Sequence, residues 1–400
     1  MALLIFLTVV LVVVAVAKIM RSHELATKLN GDEEEFASLS EIKTQGFLYA
    51  LFGVVLFTLI IVQMCAWGKY ILPSSASVHG DEIDDLFDVT MNLILVTFFI
   101  THAVMFGFIY KYYQKKGQKA YWFPHNNKLE MAWTIIPAIV LLSLITYGLN
   151  TWNDVMYQES TKDSLKVELV AEQFKWTVRY PGKDRELGKV NFSAITGSNA
   201  LGIMTAAAVD SSLADTRRQI KDLNKTVKEL DSLVNLAGWS GKADDLDDAE
   251  NNLSAFKANE RRLLKFIEEH KKDAAFYKGA EDDVVVRDTL YLAKDRMAEF
   301  TFRSKDVLHS AYFPHFRAQM NCVPGQKTYF TFTPKYTTEE MKQVAASEGK
   351  NFVLFELVCN KICGASHYKM RFPIVVLSQK DFDARIATYK TFGKELAGEE

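Results

Sequence analysis

The sequence predicts a membrane-anchored α + β protein: four transmembrane helices, then a β-sandwich or barrel interrupted by an α-helical coiled-coil hairpin. Three patterns lead there. Four apolar runs, Ala2 to Met20, Gly46 to Trp67, Met91 to Tyr110 and Met131 to Leu149, fill much of the first 150 residues. Each is about the 20 residues a helix needs to cross the hydrocarbon layer. Beyond them, period-two alternation such as Ala298-Glu299-Phe300-Thr301-Phe302 marks strands separated by Pro and Gly turns. Between two of the strands lie apolar residues spaced alternately by three and four, the seam of paired helices.

In chain order, the first run lacks the basic leader and the Ala-x-Ala site of a cleaved signal, so it reads as a membrane helix. Lys18, Arg21, Lys28 and Lys43 lie at its end or between it and the second run, and Lys111, Lys115, Lys116, Lys119 and Lys128 separate the third and fourth runs. The stretch from Ile71 to Thr90 has no Lys or Arg but carries Asp81, Glu82, Asp84, Asp85 and Asp88. Basic loops stay in the cytoplasm, which puts the N-terminus and everything after Trp152 outside. Trp67, Tyr70, Trp122, Trp133 and Trp152 sit near run ends, as interfacial aromatics do. His102 lies mid-span and is expected to make a neutral interhelical hydrogen bond.

The external part reads as strands at Leu165 to Tyr180, Met297 to Arg303, Lys327 to Thr333, Asn351 to Val358 and Phe372 to Leu377. The helical seams are Ile220, Leu223, Val227, Leu230 and Val234, then Leu246, Ala249, Leu253 and Phe256, resuming at Leu263 and Ile267. Gly238-Trp239-Ser240-Gly241 marks the turn between them. A formal charge of −2 gives no sign of nucleic-acid binding. No Cys-x-x-Cys-His motif occurs, so no c-type haem is attached. Cys65 and Cys322 read as inert packing residues.

The chemistry concentrates in Cys359-Asn360-Lys361-Ile362-Cys363-Gly364-Ala365-Ser366-His367-Tyr368-Lys369-Met370. Thiolate and thioether are soft ligands and imidazole is borderline, a set that suits copper and not magnesium or calcium. Two thiolates can bridge two metal ions, each of which then needs a further nitrogen. His367 supplies one, and His309, at the end of a strand-like run, is the candidate for the other. Two Cys and two His could also hold zinc, and Cys359 and Cys363 could form a disulfide. Zinc leaves Met370 unexplained, and a disulfide leaves both His367 and Met370 unexplained.

Asp306-Val307-Leu308-His309-Ser310 together with Cys-x3-Cys-x3-His-x2-Met resembles the dinuclear copper (CuA) domain of cytochrome c oxidase subunit II. The resemblance implies a cupredoxin-like Greek-key barrel over residues 153–191 and 284–381. It implies two copper ions held by Cys359, Cys363, His309, His367, Met370 and the Lys361 carbonyl. It also implies that electrons come from cytochrome c, or a donor complex bearing a cytochrome, and go to the haem of subunit I. There oxygen is reduced, with coupled proton translocation. His125 to Pro137 is similar to the start of the family's second helix, so residues 91–152 correspond to its two-helix hairpin. The family pattern then makes Glu130 the mouth of a proton pathway, although an acid at a helix start is also a dipole partner. Residues 1–70 are two additional helices, 192–283 the inserted hairpin and 382–400 a C-terminal tail. Glu172 to Tyr180 resembles the family's aromatic stretch for electron input. Phe174 stands at the matching position and Trp176 on the same strand face. Lys361 departs from the family's Glu, whose carboxylate helps hold a magnesium ion, so that ion is expected to be absent or altered. The expected setting is a bacterial inner membrane, copper domain periplasmic, among lipid and the other oxidase subunits. The rivals are a copper-free quinol oxidase subunit and a copper-delivery protein.

Overall fold

The computed structural model describes residue 11 and residues 14–23, 25–26, 39–115, 117–237, 242–271 and 273–398. Three described helices are long and apolar enough to cross a membrane: α1 (Leu39–Trp67), α2 (Val78–Lys111) and α3 (Asn127–Met156). The expected first span, Ala2 to Met20, lies mostly outside the described residues, of which 14–23 are helical. The chain forms two units, residues 1–68 with 89–139, and residues 69–88 with 140–400.

In the first unit α1 and α2 meet through aromatic edges. Phe57 packs against Phe99 with ring centroids 5.0 Å apart, and Phe52 against Phe106 at 5.9 Å. Gly53 leaves the room: a Cβ there would come within 2.6 Å of the Phe106 ring. The His102 bond is intrahelical, not interhelical. Its Nδ1 lies 2.8 Å from the Phe98 carbonyl one turn back, which satisfies the imidazole without a partner helix. Glu130 is half-buried at the start of α3. Its Oε1 accepts from the Asn126 N–H at 3.3 Å, while Asn126 Oδ1 accepts from the Leu129 N–H at 3.1 Å. The two side chains satisfy amides that a helix N-terminus leaves unpaired.

The second unit is a sandwich of two five-stranded sheets. β1 (Leu165–Glu172), β2 (Lys175–Tyr180), β3 (Val284–Val286), β5 (Ala298–Ser304) and β8 (Thr328–Phe332) form one, in the order β3-β2-β1-β5-β8. β4 (Leu290–Ala293), β6 (His309–Phe313), β7 (Ala318–Cys322), β9 (Phe355–Cys359) and β10 (Arg371–Leu377) form the other, in the order β4-β10-β9-β6-β7. Between the sheets Phe300, Phe302, Phe313, Phe316, Phe332 and Phe355 are fully buried. The run from Leu165 to Tyr180 is not one strand but a hairpin. Glu172 pairs with Lys175, leaving Gln173 and Phe174 as a two-residue turn. No Gly, Asn, Asp or Pro marks that turn, so the sequence carries no signal for it.

Two helices, α4 (Ala206–Ala237) and α5 (Ala243–His270), fill the connection between β2 and β3, with a short α6 (Ala274–Lys278) after them. An Arg217–Glu260 ion pair at 2.8 Å links the start of α4 to the later half of α5, so they run antiparallel. The turn at 238–241 lies outside the described residues. The base of this pair covers the outer face of the first sheet, where Leu201, Ile203 and Ala208 pack on Val170 and Val285. A buried ion network pins it. Arg179 on β2 holds Glu168 at 2.8 Å and Asp283 at 2.7 Å, and donates to the Gly188 carbonyl at 3.0 Å. Arg303 pairs with the same Glu168 and donates to the Leu201 carbonyl.

Two boundaries differ from the sequence reading. The acidic stretch before the third apolar run is helical from Val78 and belongs to the sandwich unit, not to a free loop. Arg317 binds Asp84 at 2.6 Å, Lys335 pairs with Asp81, and His79 is buried against Phe330 and Phe332. Residues after 381 are not a loose tail. α8 (Gln379–Ile386) and α9 (Phe392–Ala397) bury Phe382 and Phe392 on the sandwich. A helix missed in the sequence, α7 (Thr338–Ser347), opens with a capping box of Thr337 and Glu340.

Candidate metal centre

The site sits at one end of the second sheet, where strand ends from different parts of the chain come together. His309 opens β6 and Cys359 closes β9. These strands are antiparallel neighbours, with Ala311 opposite Cys359. The loop after Cys359 carries Lys361, Cys363 and His367 and returns at Met370, immediately before β10. The Cys359 N–H donates to the Met370 carbonyl at 3.1 Å and closes the loop.

All six residues expected as donors converge. Cys359 Sγ lies 3.9 Å from Cys363 Sγ, 3.8 Å from His309 Nδ1 and 3.2 Å from the Lys361 carbonyl oxygen. Cys363 Sγ lies 3.5 Å from His367 Nδ1 and 3.8 Å from Met370 Sδ. His309 and the two cysteines form a cluster whose ligand atoms are all within 4.8 Å of one another. The sulfurs are free thiols, well beyond the ~2.05 Å of a disulfide. His309, Cys359, Cys363 and Met370 are buried, His367 is half-buried, and the Lys361 side chain is exposed.

The surroundings set the chemistry. His309 Nε2 lies 2.9 Å from Asp306 Oδ1. With Nε2–H donating to that carboxylate, Nδ1 is left with its lone pair toward the thiols, the tautomer a metal ligand requires. Burial works to raise the Asp306 carboxyl, but the N–H groups of Gln173 and Val307 and the His309 ring outweigh it and hold the carboxyl below its usual range. Burial, with Cys359 alongside, pushes the Cys363 thiol up to about 11. A metal must therefore displace a proton there to gain a thiolate. Two thiols, two imidazoles, a thioether and a carbonyl in one pocket fit a soft, thiophilic metal.

Other expected residues fall differently. Phe174 is not on a strand face but in the β1–β2 turn, half-buried against Gly364. Trp176 is 1% exposed and so cannot meet a partner at the surface. Its ring packs edge-on to His309 at 6.2 Å, and its Nε1 donates to the Met370 carbonyl at 3.4 Å. The large apolar side chains that the ligand loop exposes are Ile362, 87% exposed, and Tyr368, 71%. Sequence reasoning passed over both, although apolar residues flanking Cys363 and His367 in a polar loop were a readable signal. Cys322 lies opposite His309 in the β6–β7 ladder, buried, with its thiol pushed up to about 12 by that burial.

Residues 64–151 match the family model "Cytochrome C oxidase subunit II, transmembrane domain", a stretch that contains the third and fourth apolar runs. The chain is 24% identical over 310 residues to an alternative cytochrome c oxidase subunit 2 of Bradyrhizobium diazoefficiens, covering 78% of this chain and 81% of that one. It is 27% identical over 145 residues to a probable quinol oxidase subunit 2 of Staphylococcus epidermidis, covering 36% and 37%. Among solved structures, the periplasmic domain of subunit II of cytochrome oxidase from Bradyrhizobium japonicum is 13% identical. It covers 57% of this chain and 96% of that one at a TM-score of 0.27, too low a likeness to carry weight.

Proposed function

From the chain's membership of the cytochrome c oxidase subunit II family, and hence its place as a subunit of a haem–copper oxidase, we propose that it is the electron-accepting subunit of that enzyme. In this reading it takes electrons from cytochrome c or a cytochrome-bearing donor and passes them to haem in subunit I, where oxygen is reduced and protons are translocated. The observation that carries the proposal is the convergence of Cys359, Cys363, His309, His367, Met370 and the Lys361 carbonyl on one buried pocket. A copper pair held there would supply a carrier of single electrons. Cys359 and Cys363 would hold it through their sulfurs, and His309 and His367 would each give one ring nitrogen. Asp306 and Trp176 hold the His309 ring from behind. The sandwich keeps the donors in place and the thiols away from water.

Phe174, at the turn beside Gly364, is proposed as the electron-input residue because it matches the family's position in sequence, and buried Trp176, packed on His309, as a residue further along the route. Glu130 is proposed at the mouth of a proton pathway, its carboxylate also capping α3. The exposed Lys361 ammonium cannot replace a carboxylate as a magnesium ligand, because it has no lone pair to offer. The magnesium site at the boundary with subunit I is therefore proposed as absent or rebuilt from other groups. The domain would face the periplasm, with α1 to α3 in the bacterial inner membrane among lipid and the other oxidase subunits.

The similarity to a quinol oxidase subunit favours one rival, a subunit without copper. Metal analysis and electron-spin resonance of the purified oxidase decide between them. Two coppers on this chain sharing one unpaired electron are expected. Isolated mononuclear copper, zinc alone or no metal would refute the reading. Cysteines placed at Ile71 and Gln118 test the orientation: an impermeant thiol reagent added outside should label the first and spare the second.

A further inference from the structure

The β1–β2 turn supplies none of the six donors, yet it touches the segments that carry them. The Gln173 side-chain amide donates to the Cys363 carbonyl. The Gln173 backbone N–H donates to Asp306 Oδ2 at 2.7 Å, and the other oxygen of that carboxylate holds His309 Nε2 at 2.9 Å. The turn fits closely over the ligand loop. A Cβ at Gly364 would come within 2.8 Å of the Gln173 amide nitrogen and 2.9 Å of the Phe174 ring.

The two halves of the site need such a link. Their roots are tied by the sheet, through the Ala311–Cys359 pairing and the Asn360 N–H donating to the Ser310 carbonyl at 2.9 Å. Beyond Asn360 the loop leaves the sheet. Among the described residues, apart from the contacts of Cys359 Sγ with the Lys361 carbonyl and Cys363 Sγ, the bond from Gln173 to the Cys363 carbonyl is the one hydrogen bond that ties residues 361–366 to anything outside the loop. Holding the Cys363 peptide restricts where its Cβ lies and so the positions its Sγ can reach. Through Asp306, the same residue also restrains the His309 ring.

We propose that Gln173 is a positioning residue, which sets the spacing between the His309 side and the Cys363 side of the site before any metal arrives. The consequence for copper rests on the reading of the site given above; the restraint on the thiols does not. A site assembled from separate segments binds more tightly when its donors are already held, because less ordering remains to be done on binding. The amide chemistry matters: Glu has the length of Gln, but its carboxylate only accepts and cannot donate to a carbonyl.

The test uses the full-length chain in detergent, in a Cys65→Ser background, with Gln173→Glu, Gln173→Ala and Lys175→Ala. Lys175 flanks the turn, and its side chain is 68% exposed and pairs with Glu172 at 2.6 Å. In the metal-free protein, Cys359 and Cys363 should react with a thiol reagent about tenfold faster in both Gln173 variants, the effect of losing one restraining hydrogen bond. Lys175→Ala should match wild type. After copper loading, the Gln173 variants should still bind two ions, with a shifted thiolate-to-copper absorption and altered hyperfine pattern. Wild-type rates and spectra in both Gln173 variants would overturn the proposal. So would equal changes in Lys175→Ala, which would reveal only a weakened turn. If wild type takes up no copper pair, the reading of the site fails, and the metal-free thiol rates still judge Gln173.

Discussion

The metal-centre end of the sandwich and the α4–α5 hairpin are built by opposite means. Beyond the base of the hairpin, where Ala208 packs on the first sheet, each helix packs on the other along one stripe. Ile220, Leu223, Val227 and Leu230 are only half-buried, and of the seam on α5 only Ala249, Leu253 and Leu263 are buried. At the metal centre four donor side chains are buried, and residues from β1–β2, β6, β9 and the ligand loop meet there. The first arrangement is repetitive and tolerant, because each contact is local and similar to the next. The second is not, since every donor depends on contacts remote in sequence. The Arg179 network ties the first sheet to the segments that lead into and out of the hairpin.

Removing a donor should break the comparison most sharply. Cys359→Ser or Cys363→Ser should abolish the shared-electron copper signal while leaving α4–α5 helicity intact, measured by electron-spin resonance and circular dichroism. Next in size is the junction. Arg179→Met leaves Asp283 buried without its cation and strips Glu168 of one of two, which should cost about 3–5 kcal/mol. Chemical denaturation followed by tryptophan fluorescence would show it, and an unchanged midpoint would mean that the network does not bear the hairpin.

A pH experiment sharpens the same point. Burial pushes the Asp283 carboxyl up to about 7 against the pull of Arg179, from an ordinary 3.8. The folded protein therefore holds this proton more firmly than the unfolded chain. Stability from this group should fall as pH rises from about 4 to about 7, by up to about 1.4 kcal/mol per pH unit, and then level off. Asp283→Asn should flatten that slope in denaturation curves taken across the range. Within the hairpin, Leu253→Ala should cost roughly 2 kcal/mol of helix pairing and leave the copper spectrum unchanged. The smallest effect belongs to Lys225→Ala. It removes an exposed pair with Glu229, at 3.6 Å, and should not move the melting curve measurably.

What the sequence determined by itself is what local chemistry encodes. Apolar length marked α1 to α3, and three-four spacing marked the seams of α4 and α5. The candidate donors were legible because five of the six lie within twelve residues and His309 within its own motif. Tertiary structure alone decided the rest. The β1–β2 turn at Gln173-Phe174 has no turn residue, and β1 shows no clean alternation because the hairpin base covers its outer face. Phe174 and Trp176 look equivalent by period two, yet the turn puts Phe174 beside Gly364 and the strand carries Trp176 into the core. The acids from Asp81 to Asp88 read as a polar loop, yet Arg317 and Lys335, more than 200 residues away, hold Asp84 and Asp81 against the sandwich. The physical reason is common to these cases. Periodicity reports which face of an element is apolar, whereas what covers that face, and which distant charge answers a given acid, is settled only when the chain closes on itself.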